Sequence, residues 1–136
     1  MTIPHGVVER ILSEAENAYP AECCGLLAGK GEVVSRAFPI ANTEQSPTGY
    51  FMDPQGQFDA ARKMREAGLQ LLGIYHSHPS SPPYPSERDV KQAFQDVVHV
   101  IVSLVGSGGG GHVEFGMLRA FRISAGAVAE VPVRIR

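Results

Sequence analysis

The sequence lacks a long hydrophobic run. Its longest apolar stretch, residues 97–105, is broken by His99 and Ser103, whereas a membrane-spanning helix needs about 20 mostly apolar residues. Residues 1–6 show no basic segment followed by an apolar core, so an export signal is not expected either. These absences favour a protein without a membrane span, and we expect it in the cytoplasm.

Neither sign of charge is in large excess. The chain has 12 Lys and Arg against 14 Asp and Glu, which gives a formal net charge of −2. The basic residues form no stripe, and a nucleic-acid backbone is therefore a poor candidate for the main partner. At 136 residues with 43% hydrophobic residues, the chain fits one compact domain, residues 1–136, with its own core.

Cysteine is also scarce, with only Cys23 and Cys24 present. A disulfide between two adjacent residues would be strained, which favours free thiols in a reducing compartment. The two thiols could act as soft metal ligands. However, adjacent residues of a strand face opposite ways and cysteine is commonly buried, so packing is the favoured interpretation.

Hydrophobic periodicity predicts a mixture of helices and strands. Helical spacing and the N-cap candidates Asp53 and Ser86 predict helices over residues 4–18, 53–68 and 86–95. Strands are predicted over residues 22–28, 32–40, 69–78, 98–105, 112–123 and 127–135, and the first two should form an antiparallel hairpin. The glycine cluster at 106–111 lacks a following Lys-Ser or Lys-Thr, which indicates a flexible connection rather than a phosphate loop.

Two histidines, His76 and His78, end the apolar run that predicts the strand over residues 69–78. Residues i and i+2 of a strand point to one face, so both imidazoles can aim at one point. Pro79 should end the strand and leave His78 at an exposed strand end. A histidine pair of this kind is also common on edge strands that bind no metal.

Asp89 follows in the first turn of the helix that Ser86 is predicted to open. A hydrolytic zinc commonly has three ligands from His, Asp or Glu, and its fourth position takes a water whose pKa falls to about 7. His76, His78 and Asp89 would supply that set. Ser86 and Asp89 also resemble a capping box, and the two interpretations are compatible because a capping serine can still present its hydroxyl.

Other residues receive simpler interpretations. We expect three histidines without ligand-spaced partners to be surface or satisfied core residues: His5, His99 and His112. Tyr84 and Pro85 could line a substrate groove or stiffen the loop before Ser86.

The whole pattern His-x-His-x7-Ser-x-x-Asp, with Glu22 further upstream, resembles the JAMM, or MPN-plus, metalloprotease family. The run 73–79 and Asn42 before Pro47 are similar to the small prokaryotic members, as is the order helix, hairpin, helix, histidine strand, helix, strand. The resemblance covers nearly all of the chain. It implies an α/β fold of the JAMM/MPN type, related to cytidine deaminases, in which helices flank a mixed β-sheet in a single domain.

Carried over residue by residue, the resemblance implies that His76, His78 and Asp89 bind one zinc ion per chain. Glu22 would be the general base for the zinc-bound water, and Ser86 would help hold the oxyanion. The implied activity is hydrolysis of peptide or isopeptide bonds after the C-terminal Gly-Gly of a ubiquitin-like or sulfur-carrier protein. Such a glycine tail can thread a narrow groove in extended form.

This chain departs from the eukaryotic deubiquitinating members of the family. Ile74 stands where they usually have Trp, and Tyr84-Pro85 replaces a Trp-Leu-like pair. A sulfur carrier or a prokaryotic modifier is therefore favoured over ubiquitin itself.

The sequence disfavours two other classes of protein. A non-catalytic scaffold on the same fold is disfavoured by the intact set of five candidate site residues. A zinc deaminase requires His-x-Glu and a later Pro-Cys-x-x-Cys, and neither occurs. The sequence does not fix an oligomeric state.

Overall fold

The computed structural model describes residues 1–93, 96–105 and 117–136. Within these ranges three helices accompany a single eight-stranded sheet. The helices are α1 (His5–Ala18), α2 (Pro54–Glu66) and α3 (Glu87–Gln92). The strands are β1 (Thr2–Ile3), β2 (Cys24–Lys30), β3 (Val33–Ile40), β4 (Gln70–His78), β5 (Val98–Ser103), β6 (Leu118–Ser124), β7 (Ala127–Val131) and β8 (Arg134–Ile135).

The sheet is mixed, with the strand order β7-β6-β5-β4-β2-β3-β1-β8. β2 is antiparallel to both β3 and β4, β4 is parallel to β5, and β6 is antiparallel to both β5 and β7. The predicted mixed sheet with flanking helices is confirmed. Because β4 is paired on both sides, the alternative of an edge-strand histidine pair is wrong.

Side chains of alternate strand residues enter two apolar cores on opposite faces of the sheet. Tyr75 of β4 packs in the core that α1 covers, together with Val8 and Ile11. Ile74, the preceding residue, packs in the second core with Met64 of α2. His76 has the same parity as Ile74 and therefore lies on the α2 face of the sheet.

The helix starts follow the capping signals. The Asp53 side chain accepts a hydrogen bond from the amide of Gly56 at 3.1 Å, and Pro54 occupies the first helical position, as predicted. α3 is shorter than predicted, because Ala93 already has extended backbone angles. Residues 94 and 95, the last of that predicted helix, lie outside the described residues.

The predicted carboxy-terminal strand over residues 127–135 is interrupted at Pro132, which has no amide hydrogen to donate to a ladder, and is divided into β7 and β8. β8 pairs in parallel with β1, a two-residue strand that the sequence did not predict. The glycine cluster and residues 112–116 of another predicted strand lie outside the described ranges. No helix in the described part of the chain is long and apolar enough to cross a membrane.

Gly25 of β2 packs so closely against its neighbours that its position cannot hold a side chain. A Cβ atom there would collide with the Tyr75 ring and the Phe38 carbonyl oxygen. We expect Gly25→Ala to lower the free energy of unfolding in urea by about 1–3 kcal/mol, the usual cost of overpacking. Gly6→Ala is the matched control, because nothing lies within 4 Å of its Cβ position. That control should be neutral or slightly stabilising, and an equal loss in both variants would contradict the packing account.

Candidate active site

Three side chains converge at the end of β4. The Nε2 atoms of His76 and His78 are 3.1 Å apart, and Asp89 Oδ2 lies 3.1 Å from the first and 3.2 Å from the second. Two ligands of a tetrahedral zinc, each about 2.0–2.1 Å from the ion, are about 3.3 Å apart. The three atoms therefore fit one face of a zinc tetrahedron, and these residues form a group that could hold a metal ion.

His78 is the last residue of β4, but it is buried, with only 3% of its surface exposed. The expectation of an exposed strand end was wrong because residues 80–86 fold back over it. The carbonyl oxygen of Pro82 lies 2.8 Å from His78 Nδ1. A carbonyl can only accept, so Nδ1 carries a proton, and Nε2 is the ring atom of the neutral imidazole that can bind a metal.

Asp89 also forms part of the N-terminal cap of α3. Its Oδ2 accepts a hydrogen bond from the Ser86 amide at 2.9 Å, and its own amide donates to Ser86 Oγ at 3.0 Å. The capping box predicted from the sequence is confirmed. Since Ser86 Oγ accepts in this arrangement, the proton of its exposed hydroxyl remains free to be donated.

Burial and hydrogen bonding set the charges of the three groups. Burial lowers the pKa of His76 and favours its neutral form. Burial also opposes the charge of His78, but the bonds to Asp89 and Pro82 outweigh it and raise the pKa of His78. Burial works against ionised Asp89 too, yet the two histidines hold its pKa well below the usual range. The carboxylate is thus ionised, as a metal ligand must be.

Glu22 lies beside this cluster. The antiparallel register pairs Cys24 with His76, and continued by two residues it places Glu22 opposite His78 on the same face. Glu22 is only 4% exposed, and its Oε1 has no hydrogen-bond partner among the described residues. Burial raises the pKa of Glu22 to about 8, with His78 acting in the opposite direction. A buried carboxylate oxygen without a partner, next to three candidate metal-ligand atoms, suits a site that admits a metal ion and water.

Tyr50 is a site residue that the sequence did not reveal. Its ring packs against the His76 imidazole with centroids 4.7 Å apart and planes inclined at 31°. A cavity of about 330 Å³ adjoins this point and is lined by Tyr50, Ile74, Asp89 and His99, among others. The sequence signal was only an aromatic residue after a polar loop, because the contact with His76 spans 26 positions.

The two cysteines and Tyr84 are not part of the group that could hold a metal ion. Cys23 and Cys24 are free, buried, and packed in opposite cores, as predicted. Burial raises the pKa of their thiols to about 11 and about 12, so both stay protonated. Tyr84 contacts Phe121 edge to face at 5.3 Å, which favours the loop-stiffening interpretation.

The other histidines do not join the cluster. His5 is a surface residue paired with Glu9 at 3.4 Å, as expected. His99 is buried, but its Nε2 finds no partner within the described ranges, so a satisfied core histidine was the wrong interpretation. His112 lies outside the described residues.

Two known proteins are similar to this chain in sequence. The chain is 36% identical to the CysO-cysteine peptidase of Mycobacterium tuberculosis, over 99% of this chain and 90% of that protein. It is 41% identical to a "Probable TtuB-protein conjugate cleaving protease" of Thermus thermophilus, over 73% of this chain and 67% of the relative.

Solved structures share the fold. A protein from Desulfitobacterium hafniense superposes with a TM-score of 0.87 at 33% identity, covering 99% of this chain and 92% of that one. A JAB1/MPN domain protein from Archaeoglobus fulgidus has a TM-score of 0.64 at 23% identity, covering 99% and 98%. The family model of the prokaryotic homologues of the JAB domain matches residues 4–124. The chain therefore belongs to that family, and it is a hydrolase of the JAMM type, as the motif predicted.

Proposed function

We propose that this protein is a zinc-dependent hydrolase that cleaves peptide or isopeptide bonds after the C-terminal Gly-Gly of a sulfur-carrier or ubiquitin-like protein. One observation carries the proposal: the buried His76, His78 and Asp89 triangle, with atoms 3.1–3.2 Å apart, lies beside Glu22 Oε1, which has no hydrogen-bond partner among the described residues. A scaffold would have no use for a buried base beside three convergent ligand atoms.

The chain's residues divide the chemistry among them. Zinc held by His76, His78 and Asp89 would polarise the scissile carbonyl and lower the pKa of water. Glu22 Oε1 accepts the proton of the attacking water and later delivers it to the departing amine. In the metal-free protein burial raises the pKa of Glu22 to about 8, and a cation bound beside Glu22 would favour the ionised form that accepts the proton.

Ser86 would stabilise the oxyanion. Its Oγ is fixed by the bond from the Asp89 amide, and its hydroxyl proton is free to point at the carbonyl oxygen where negative charge develops. A fixed donor costs no reorganisation during the reaction, which is the usual basis of oxyanion stabilisation.

Replacing Ser86 separates this role from capping. Ser86→Gly should lower kcat about 10²–10³-fold, the typical effect of losing one oxyanion donor. The same change should cost only a few tenths of a kcal/mol of stability, because Gly is tolerated at an N-cap. Ser86→Thr keeps the hydroxyl and should retain most of the activity. Equal rates for the Gly and Thr variants, measured by steady-state kinetics, would remove Ser86 from the mechanism.

The substrate class follows from the relatives' names. One is named for peptidase activity on CysO-cysteine and the other for cleaving TtuB-protein conjugates. We propose for this chain a carrier or modifier of the same kind, ending in Gly-Gly. No nucleic-acid partner is proposed, and the cytoplasmic location and the single-domain extent over residues 1–136 stay predictions from the sequence.

The test uses the zinc-loaded protein and two probes built on one sulfur-carrier protein ending in Gly-Gly. In one probe a peptide follows the second glycine, and in the other that glycine is joined to a lysine side chain. We expect cleavage of at least one probe, its loss with a chelator, and its return with added zinc. A protein that holds one zinc per chain but cleaves neither probe would favour the scaffold alternative.

A further inference from the structure

The proposed base lies outside the regular strand that follows it. β2 begins at Cys24, so Glu22 has no ladder partner of its own. Its amide instead donates to the Ser46 carbonyl oxygen at 2.8 Å, and its carbonyl oxygen accepts from Asn42 Nδ2 at 3.0 Å. Both partners belong to the loop of residues 42–51, which therefore binds both the amide and the carbonyl group of Glu22.

Asn42 organises this 42–51 loop. Its Nδ2 also donates to the Gly49 carbonyl oxygen at 3.3 Å. Its Oδ1 accepts from the Glu44 amide at 3.1 Å and from the Phe51 amide at 3.0 Å. All four hydrogen-bonding positions of the amide are thus occupied, three of them within the loop and one on the proposed base.

The same loop is tied to the helix that carries Asp89. Glu44 forms an ion pair with Arg88, the residue before Asp89. Gly49 lies directly against the Arg88 guanidinium, which would have to shift to admit a Cβ atom at position 49. The loop therefore bridges the proposed base and the start of α3, and it can set the distance between them.

A bond from β4 secures the next residue of the chain. The Cys23 amide donates to Ser77 Oγ at 2.8 Å, and the Ser77 amide donates to the Cys23 carbonyl oxygen at 3.0 Å. Ser77 lies between His76 and His78, so Cys23 is fixed to the histidine strand itself. Because Cys23, the residue after Glu22, is fixed to β4, the 42–51 loop provides the restraint on the backbone of Glu22 itself.

We propose that Asn42 is a positioning residue for the reaction: through the 42–51 loop it holds Glu22 so that the carboxylate faces the His76, His78 and Asp89 cluster. This inference rests on the proposed function of Glu22 as the base. Reacting groups must be held within about 0.5 Å of the productive geometry. Among the described residues Asn42 makes no hydrogen bond to His76, His78 or Asp89, so it acts on the site through the 42–51 loop and the backbone of Glu22.

The test substitution is Asn42→Asp, which keeps the shape and the acceptor oxygen. It replaces the Nδ2 donor with an oxygen that faces the carbonyls of Glu22 and Gly49, so both bonds are lost. We expect kcat on the Gly-Gly fusion probe to fall about 10–100-fold, as a misplacement near 1 Å does, with KM changed less than about threefold. Zinc content should stay at one per chain. Thr43→Ala is the matched control, because its hydroxyl donates to Phe51 O in the same loop at 3.1 Å without touching Glu22.

A second readout needs neither metal nor substrate. In the zinc-free protein, amide hydrogen exchange followed by NMR should show faster exchange of the Glu22 amide in Asn42→Asp, by about tenfold or more. The amides of β2 should keep their protection. Unchanged protection at Glu22, or a loss spread over the whole of β2, would overturn the positioning role.

A double-mutant cycle separates this proposal from the one on which it rests. If Asn42 acts through Glu22, Asn42→Asp should lower the residual rate of the Glu22→Gln variant less than about twofold, because coupled residues are non-additive. A full additive loss, with Glu22→Gln itself impaired by about 10²–10⁴-fold, would refute the positioning role alone. A fully active Glu22→Gln would instead remove the base and this inference together.

Discussion

Glu22→Gln should keep its zinc and lose hydrolysis. Gln fills the same space but cannot accept a proton, and a positioned general base is worth about 10²–10⁴ in rate. The ligand triangle of His76, His78 and Asp89 is untouched by the change. We therefore expect kcat on the Gly-Gly fusion to fall by that factor, while elemental analysis still finds one zinc per chain.

The Gln variant should also be at least as stable as the native protein. Burial raises the pKa of Glu22 from 4.5 to about 8, so the folded metal-free protein holds a proton that the unfolded chain releases across this interval. Stability is then lost as the pH rises from about 4.5 to about 8. Gln removes that dependence, and urea unfolding of the metal-free proteins at two pH values checks it.

Glu9→Gln provides the matched control for these experiments. Glu9 is an exposed residue of α1, with 64% of its side chain accessible, and it pairs with His5 on the same helix. This variant should keep both activity and zinc. A Glu22→Gln protein that hydrolyses the probe at the native rate would show that the base lies elsewhere.

Asp89→Asn should lose zinc affinity without losing the fold. An amide oxygen can still accept from the Ser86 amide and preserve the cap, but it is neutral and a far weaker ligand for zinc than a carboxylate. Replacing even outer partners of a metal site costs 10–100-fold in affinity. For a direct ligand we expect a loss of at least about 100-fold, and activity at limiting zinc should fall with it.

Competition with a chromogenic chelator measures this loss, and urea unfolding of the metal-free protein checks the fold. Asp59→Asn is the control, because Asp59 of α2 is not one of the three proposed ligands and its Oδ1 accepts a hydrogen bond from Gln55 at 3.0 Å. Native zinc affinity in Asp89→Asn would exclude Asp89 as a ligand. Unfolding of the metal-free variant would mean that the carboxylate is needed first for capping.

Local rules were enough to predict part of the site. His76 and His78 share a face because they are two apart on a strand, and Asp89 follows an N-cap serine at capping-box spacing. Glu22 is different, because its place opposite His78 depends on the register of β2 against β4, which pairs residues 41 to 52 positions apart. Only the family pattern pointed to Glu22, since no local signal encodes that register.

Tertiary contacts explain what the sequence did not show. His78 is buried because the loop carrying Pro82 folds over it, and Tyr50 meets His76 from a distant loop. β1 and β8 have two residues each, too few for any periodicity to show. Asn42 stood out only by family resemblance, because its bond to Glu22 joins residues 20 positions apart.

The most direct measurement of the central claim is the mass of the reaction product in oxygen-18 water. The zinc-loaded protein is incubated with the sulfur-carrier fusion, and intact masses are recorded beside a Glu22→Gln reaction. We predict a carrier that ends at its second glycine, with one oxygen-18 atom in the new carboxylate, and at least about 100-fold slower formation of this product by Glu22→Gln. Cleavage at another bond, or no cleavage by a protein that holds one zinc per chain, would contradict the account.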